Sequence, residues 1–178
     1  MKIVSTEFEN LFIMDYSSYK DNRGEFVKTI HKQTFDEFGL ESVFTESFYS
    51  VSAKDVIRGM HYQNPPEDHV KLVYVLTGAI IDVVLDIRKE SITYGKYFFV
   101  ELSQNNRNGI YIGKGFAHGF LALEDDTTVE YHTTTSQHKE FEAGIRYDSF
   151  GFDWKVSKPI MSDRDLAFQK FTETISLF

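Results

Sequence analysis

From Val43 to about Thr135 nearly every stretch of this chain reads as a short strand or a tight turn, and that density of strand patterns leaves few folds open. Apolar, β-branched runs such as Val43-Phe-Thr-Glu-Ser-Phe-Tyr-Ser50, Lys71-Leu-Val-Tyr-Val-Leu-Thr-Gly78 and Ala79-Ile-Ile-Asp-Val-Val-Leu-Asp-Ile-Arg88 are punctuated by Pro65-Pro66, a hairpin signal at Thr77-Gly78 and an Asp125-Asp126 turn. Further strands are expected at Lys96–Ser103, Ile110–Ile112, Gly113–Glu124 and Val129–Thr135. Many short strands with little helix predict an all-β sandwich or barrel of jelly-roll type, whose interior can hold a ligand.

The flanks add little regular structure. Short strands are expected at Lys2–Val4 and Leu11–Met14, a polar loop from Asp15 to Asn22, renewed alternation over Arg23–Ile30, and one short helix over Lys32–Gly39 that ends on its glycine. Leu166, Phe168, Phe171 and Ile175 carry a spacing that predicts a C-terminal helix over Arg164–Ser176. With 178 residues and no linker or repeat, the chain is expected to form one domain, 1–178, and 42% hydrophobic residues suffice for its core. No run approaches the roughly 18 to 20 apolar residues of a membrane span, the first residues lack a signal peptide's apolar centre, and there is no cysteine. A cytoplasmic protein with no membrane partner is therefore expected. The net charge of -8 opposes nucleic acid as a partner, since phosphates require a basic face.

Within the strand-rich stretch a few polar residues stand where burial makes them costly. His61, in Arg58-Gly-Met-His-Tyr-Gln63, could serve as a base or be a hydrogen-bonded core histidine. Lys71 could snorkel to solvent from its strand start, yet an unbroken apolar run follows it. Phe116, His118 and Phe120 share one strand face, as do Tyr131 and Thr133, so His118 and Tyr131 are both expected to point inward. Asp82 and Asp86 also share a face, where solvation or an ion pair with Arg88 accounts for them; His132 and His138 are expected to face solvent. A metal site is the first alternative, because β-barrels of the cupin type often hold an ion on two histidines one residue apart, a glutamate and a later histidine. His61-Tyr62-Gln63 supplies one histidine of that pair, and Lys71 stands where the glutamate would fall. A cation cannot replace a carboxylate ligand, so no metal is expected.

Asp21-Asn-Arg-Gly24, Arg58-Gly-Met-His-Tyr-Gln63, Lys71-Leu-Val73, Gly78 with Asp82 to Arg88, Ser91-Ile-Thr-Tyr-Gly95, Gly115-Phe-Ala-His-Gly-Phe120, Tyr131, Glu142, Asp153-Trp154 and Ser162-Asp-Arg-Asp165 follow one another over roughly residues 15 to 165. In these motifs the chain resembles the dTDP-4-dehydrorhamnose 3,5-epimerase family, enzymes that act on nucleotide-linked 4-keto-6-deoxy sugars without a metal or other cofactor. The resemblance implies a cupin-type double-stranded β-helix (jelly roll) with a short C-terminal helix, a nucleotide-diphosphate sugar as substrate, and a homodimer in which an N-terminal segment joins the partner's sheet. It also implies roles. His61 would accept a proton, Asp165 would orient His61, Tyr131 would donate a proton, and Lys71 would lie beside the developing enolate. Arg23, Arg58, Gln63, His118 and Glu142 would contact the substrate.

The chemistry suits those residue types. A 4-keto group acidifies the hydrogens on both neighbouring carbons, so a near-neutral base on one face and an acid on the other can invert a centre through an enolate. A lysine in a dry barrel stabilises enolate charge better than one in water. Departures from the family pattern fall on the nucleotide side: Gln137 replaces an aromatic that stacks on thymine, Glu46-Ser-Phe48 replaces a Gln-Asp-Asn-like segment, and Lys28 and Arg164 stand for a glutamate and a lysine. Glu46, Phe48, Gln137 and Arg164 are thus candidate substrate contacts that leave open both the nucleotide and whether C3, C5 or both centres are inverted. A non-catalytic sugar-nucleotide-binding barrel is the alternative from another class, against which the joint presence of an acid and a base weighs.

Overall fold

Thirteen strands make two antiparallel sheets and a separate hairpin in a computed structural model that describes residues 1–178. In chain order they are β1 (Lys2–Ser5), β2 (Leu11–Asp15), β3 (Ser18–Asp21), β4 (Gly24–Val27), then after helix α1 (Lys32–Glu37) β5 (Glu46–Ser52), β6 (Ile57–Gln63), β7 (Lys71–Thr77), β8 (Ala79–Asp86), β9 (Tyr97–Ser103), β10 (Asn108–Ile112), β11 (Phe116–Ala122), β12 (Thr127–Thr133) and β13 (Glu142–Gly144), with helix α2 (Asp163–Leu166) near the end. One sheet has six strands in the order β1-β2-β10-β7-β12-β5, the other five in the order β13-β6-β11-β8-β9. Face to face they form the expected jelly roll.

Strand periodicity explains both the core and the placement of the polar residues. Val73 and Val75 of β7 and Val129 and Tyr131 of β12 point inward to meet Ile80 and Val84 of β8 and Phe116 and Phe120 of β11. The residues between them point outward and are covered as well. Leu72 and Tyr111 lie under Phe35 of α1, while Val83, Leu85, Ala117 and Leu121 lie under Phe150 and Trp154. Burial on both faces is why β7 and β8 read as nearly continuous apolar runs, and each such side chain contributes about 1.5–3 kcal/mol. Lys71, Asp82, His118 and Tyr131 occupy inward positions of these same rows, so the strands that build the core also aim them at one interior space.

β6 breaks the period. His118 of β11 pairs with His61, but Phe120, two residues on, pairs with Arg58, three residues back; β6 therefore carries one extra residue as a bulge. Strict alternation would put Arg58 and His61 on opposite faces, whereas the bulge turns both inward. Gly59 makes it possible: its φ is +122°, and a Cβ there would lie 2.5 Å from Gly119 Cα.

Some segments depart from expectation. Ser18–Asp21, expected as loop, forms a hairpin with Gly24–Val27, because the Asp21–Gly24 turn and not apolar alternation sets the pairing. The helix expected over Arg164–Ser176 is confined to Asp163–Leu166, followed by a 3-10 turn at Phe171–Glu173. The chain leaves the helix to bond the loop before it, Arg146 N–H donating to Gln169 O and Phe171 N–H to Ser149 Oγ. Asp82 and Asp86 are wholly buried rather than solvated; Asp86 makes the expected ion pair with Arg88 at 2.7 Å, and Asp82 meets His118. His132 is half-buried, not solvent-facing, stacked on Tyr74 with its Nε2 3.0 Å from the Tyr74 hydroxyl.

Candidate active site

A cavity of about 640 Å³ opens between the two sheets. From the six-stranded sheet come Glu46, Phe48 and Ser50 of β5, Lys71 of β7, and Tyr131 and Thr133 of β12; from the other come Arg58, His61 and Gln63 of β6, His118 and Phe120 of β11, and Glu142 of β13. Gln137, Lys139, Arg164 and Phe168 close the mouth.

His61 is held from behind. Its Nε2 lies 2.9 Å from Asp165 Oδ1, and Asp165 Oδ2 accepts the Gly59 N–H at 3.0 Å, a donor that the bulge turns away from the strand ladder. Asp165 is itself placed by the start of α2, where its N–H donates to the N-cap Ser162 Oγ at 3.1 Å. Burial would raise the Asp165 carboxyl, but hydrogen bonds from His61, Gly59 and Ser162 outweigh it and hold the pKa at about 2. The carboxylate thus stays ionised and fixes Nε2 as the protonated ring nitrogen, leaving Nδ1 as the lone-pair nitrogen. His61 has its pKa lowered, chiefly by burial, with Asp165 opposing and Lys71 and Arg164 reinforcing. Phe168 packs edge-on against the ring at 5.7 Å and rests on Gly144, where any Cβ would collide with it.

Tyr131 faces His61 from the opposite sheet. It is 8% exposed, stacks on Phe48 with centroids 4.9 Å apart, and has its hydroxyl 3.4 Å from Ser50 Oγ. Burial pushes its pKa well up, so the phenol stays protonated and can give a proton. Lys71 donates from Nζ to the His61 carbonyl at 3.2 Å, and burial brings its pKa down to about 8 against the pull of Asp82 and Glu142. His118 bonds Asp82 Oδ2 at 2.8 Å. Arg58 is held by Ser52 Oγ and the Val51 carbonyl, each at 3.1 Å, with no carboxylate spending its charge.

The other expected contacts differ in kind. Glu142 receives Gln137 Nε2 and Arg164 Nη1, and Glu46 receives the Gln137 N–H, so a polar strap crosses the mouth. Gln63 lines the cavity, but its amide is committed to two loops, donating to Glu67 O and accepting from His138 N–H at 2.7 Å each. Arg23 is not brought to the cavity: it sits exposed in the β3–β4 turn, its guanidinium on Asp21 at 2.6 Å. The sequence reading missed Phe168, whose apolar spacing pointed to a helix, and the partnership of Asp82 with His118, which only the register of β8 on β11 reveals. No three His, Cys, Asp or Glu side chains converge as a metal-binding group.

The fold is a jelly roll whose two facing sheets bring His61, Lys71, His118 and Tyr131 to one cavity, and the relatives that share it are isomerases. Residues 5–173 match the family model described as dTDP-4-dehydrorhamnose 3,5-epimerase, and the chain belongs to that family. It is 37% identical to the dTDP-4-dehydrorhamnose 3,5-epimerase of Shigella flexneri over 97% of both chains, and 38% identical to that of Methanothermobacter thermautotrophicus over 97% of this chain and 95% of that one. Among solved structures, the dTDP-6-deoxy-D-glucose-3,5-epimerase of Legionella pneumophila in complex with dTDP-4-keto-L-rhamnose superposes with a TM-score of 0.92 at 34% identity, covering 97% of this chain and 93% of that one.

Proposed function

We propose that the protein inverts C3 and C5 of a dTDP-linked 4-keto-6-deoxy sugar for deoxysugar biosynthesis. The observation that carries this reading is one cavity with His61–Asp165 on one wall and Tyr131 with Lys71 on the other. Nδ1 of His61 takes the proton on a carbon next to the ketone, the electron pair moves into an enolate whose oxygen lies near the Lys71 ammonium, and Tyr131 protonates the carbon from the opposite face. Once His61 has released its proton to solvent and Tyr131 has taken one up, repetition at the second neighbour completes the double inversion. Arg58 and His118 take the polar groups of the substrate. Mixing the enzyme with a dTDP-linked 4-keto-6-deoxyglucose in deuterium oxide tests this: two deuterons in the product mean both centres, one means a single centre, and none removes the enzymatic reading in favour of a binding barrel.

Gln137 and Glu46 at the mouth favour a second reading of the nucleotide. Base stacking on an aromatic contributes about 1–3 kcal/mol, which Gln137 forgoes, whereas Gln137 and Glu46 can hydrogen-bond the exocyclic amine of cytosine or guanine. Calorimetric titration with dTDP, UDP, CDP and GDP decides between them; a dTDP preference above about tenfold, roughly 1.4 kcal/mol, retires the second reading.

A homodimer belongs to the same proposal. β5 is an edge strand with Phe48, Tyr49 and Val51 exposed, and the β3–β4 hairpin exposes Tyr19 and Phe26. Strand addition between two copies satisfies such an edge. Sedimentation that finds only monomer at micromolar concentration contradicts it. The cytoplasmic location expected from the sequence remains part of the proposal.

A further inference from the structure

Arg164 immediately precedes Asp165, is half-exposed, and touches three groups of the site at once. Its Nε is 3.3 Å from Asp165 Oδ1, its Nη2 3.1 Å from His61 Nε2 and its Nη1 3.4 Å from Glu142 Oε2. A guanidinium only donates and an ionised carboxylate only accepts. Because Asp165 Oδ1 also lies 2.9 Å from His61 Nε2, the proton on Nε2 belongs to that hydrogen bond, and Nε2 has no lone pair to offer Arg164. Two donors therefore share one carboxylate oxygen, side by side.

We propose that Arg164 is a positioning residue for His61: by sharing Asp165 Oδ1 it locks the ring with Nδ1 as the accepting nitrogen and returns the imidazole to its unprotonated form after each transfer. The proposal rests on reading His61 as the base. A proton taken at Nδ1 makes an imidazolium against a guanidinium, with one carboxylate between them, so the second charge is disfavoured and the proton is readily passed on. Every element packed around His61 bears on this balance. Lys71 of β7 adds to the repulsion, Asp165 of α2 opposes it, Glu142 of β13 is engaged by Arg164, His118 of β11 is engaged by Asp82, and Tyr131 of β12 stays neutral. A lysine at this position would keep the charge but lose the planar fork that reaches Asp165, His61 and Glu142 together.

The test compares wild type, Arg164→Ala and Arg164→Lys by NMR titration of the His61 Cε1–H in ligand-free protein with labelled histidine rings, the signal being assigned by its loss in His61→Asn. The His61 midpoint is expected to rise in Arg164→Ala and by less in Arg164→Lys. The acid limb of kcat/KM on the dTDP-linked 4-keto-6-deoxyglucose is expected to move with it. An unchanged midpoint in Arg164→Ala, with the loss confined to KM, makes Arg164 a substrate contact only and overturns the proposal. The titration uses no substrate, so failure of the base assignment shows separately, as an absence of deuterium exchange by wild type.

Discussion

Two histidine–aspartate pairs face one cavity with nearly the same hydrogen-bond length, 2.9 Å for His61–Asp165 and 2.8 Å for His118–Asp82, yet their surroundings differ in every other respect. The His61 side chain is 30% exposed and its carboxylate is satisfied by a main-chain N–H, the imidazole and Arg164; the His118 side chain is 4% exposed, and Asp82 Oδ1 is buried with no partner. Length alone does not distinguish the two pairs. What separates the two pairs is how far the ring is open to the cavity and how completely the carboxylate behind it is satisfied.

The largest effect that sharpens this contrast is expected from His61→Asn, which should lower kcat by about 10³-fold or more while leaving dTDP binding intact, since only electrostatic help survives loss of the base. His118→Asn should act mainly on KM. Equal kcat losses in the two variants, or His61→Asn activity within tenfold of wild type, would break the comparison.

Next comes Lys71→Met, expected to cost about 10²–10³-fold in kcat through loss of enolate stabilisation. The same variant should raise Tm at pH 7. Lys71 has its pKa depressed from 10.5 to about 8, so its penalty on the folded state is fully present below pH 8 and fades as pH climbs toward 10.5. A lower Tm would mean that its bond to the His61 carbonyl outweighs the cost of its burial.

A smaller effect is expected with pH alone. As Lys71 titrates near 8, kcat/KM at pH 9 should be about tenfold below its plateau. A flat profile to pH 10 would assign the enolate to another group. Smallest is Asp82→Asn, which keeps a polar partner for His118 and should cost only a few-fold in KM. A loss as deep as that of Asp165→Asn would make the two pairs equivalent.

The inward placement of much of the cavity lining was legible in the sequence because strand periodicity is a strong rule. The parity that puts Val73 and Val75 inward also puts Lys71 inward, and the same holds for His118 between Phe116 and Phe120 and for Tyr131 after Val129. The rule fails where the chain departs from it. Arg58 and His61 are three apart and yet share a face, which alternation forbids and a bulge allows. Pairings between distant strands are invisible locally, so Asp82 looked solvated until β11 was laid against β8. Phe168 follows a helical spacing, but hydrogen bonds of Gln169 and Phe171 to the Arg146–Ser149 loop prevail over it. Arg23 lies on a hairpin that makes no part of the cavity within one chain.

The extra residue in β6 acts as a frameshift written into a strand. Upstream of it Arg58 is phased with Phe120; downstream His61 is phased with His118, and each half keeps its own register against β11. Two cavity-facing side chains, Arg58 and His61, are thereby placed by separate registers although they are neighbours in the chain. Changes before Gly59 are expected to shift Arg58 without moving His61, and changes after Met60 to shift His61 without moving Arg58. Deleting one residue at the junction would merge the two frames and leave room for only one of these side chains in the cavity.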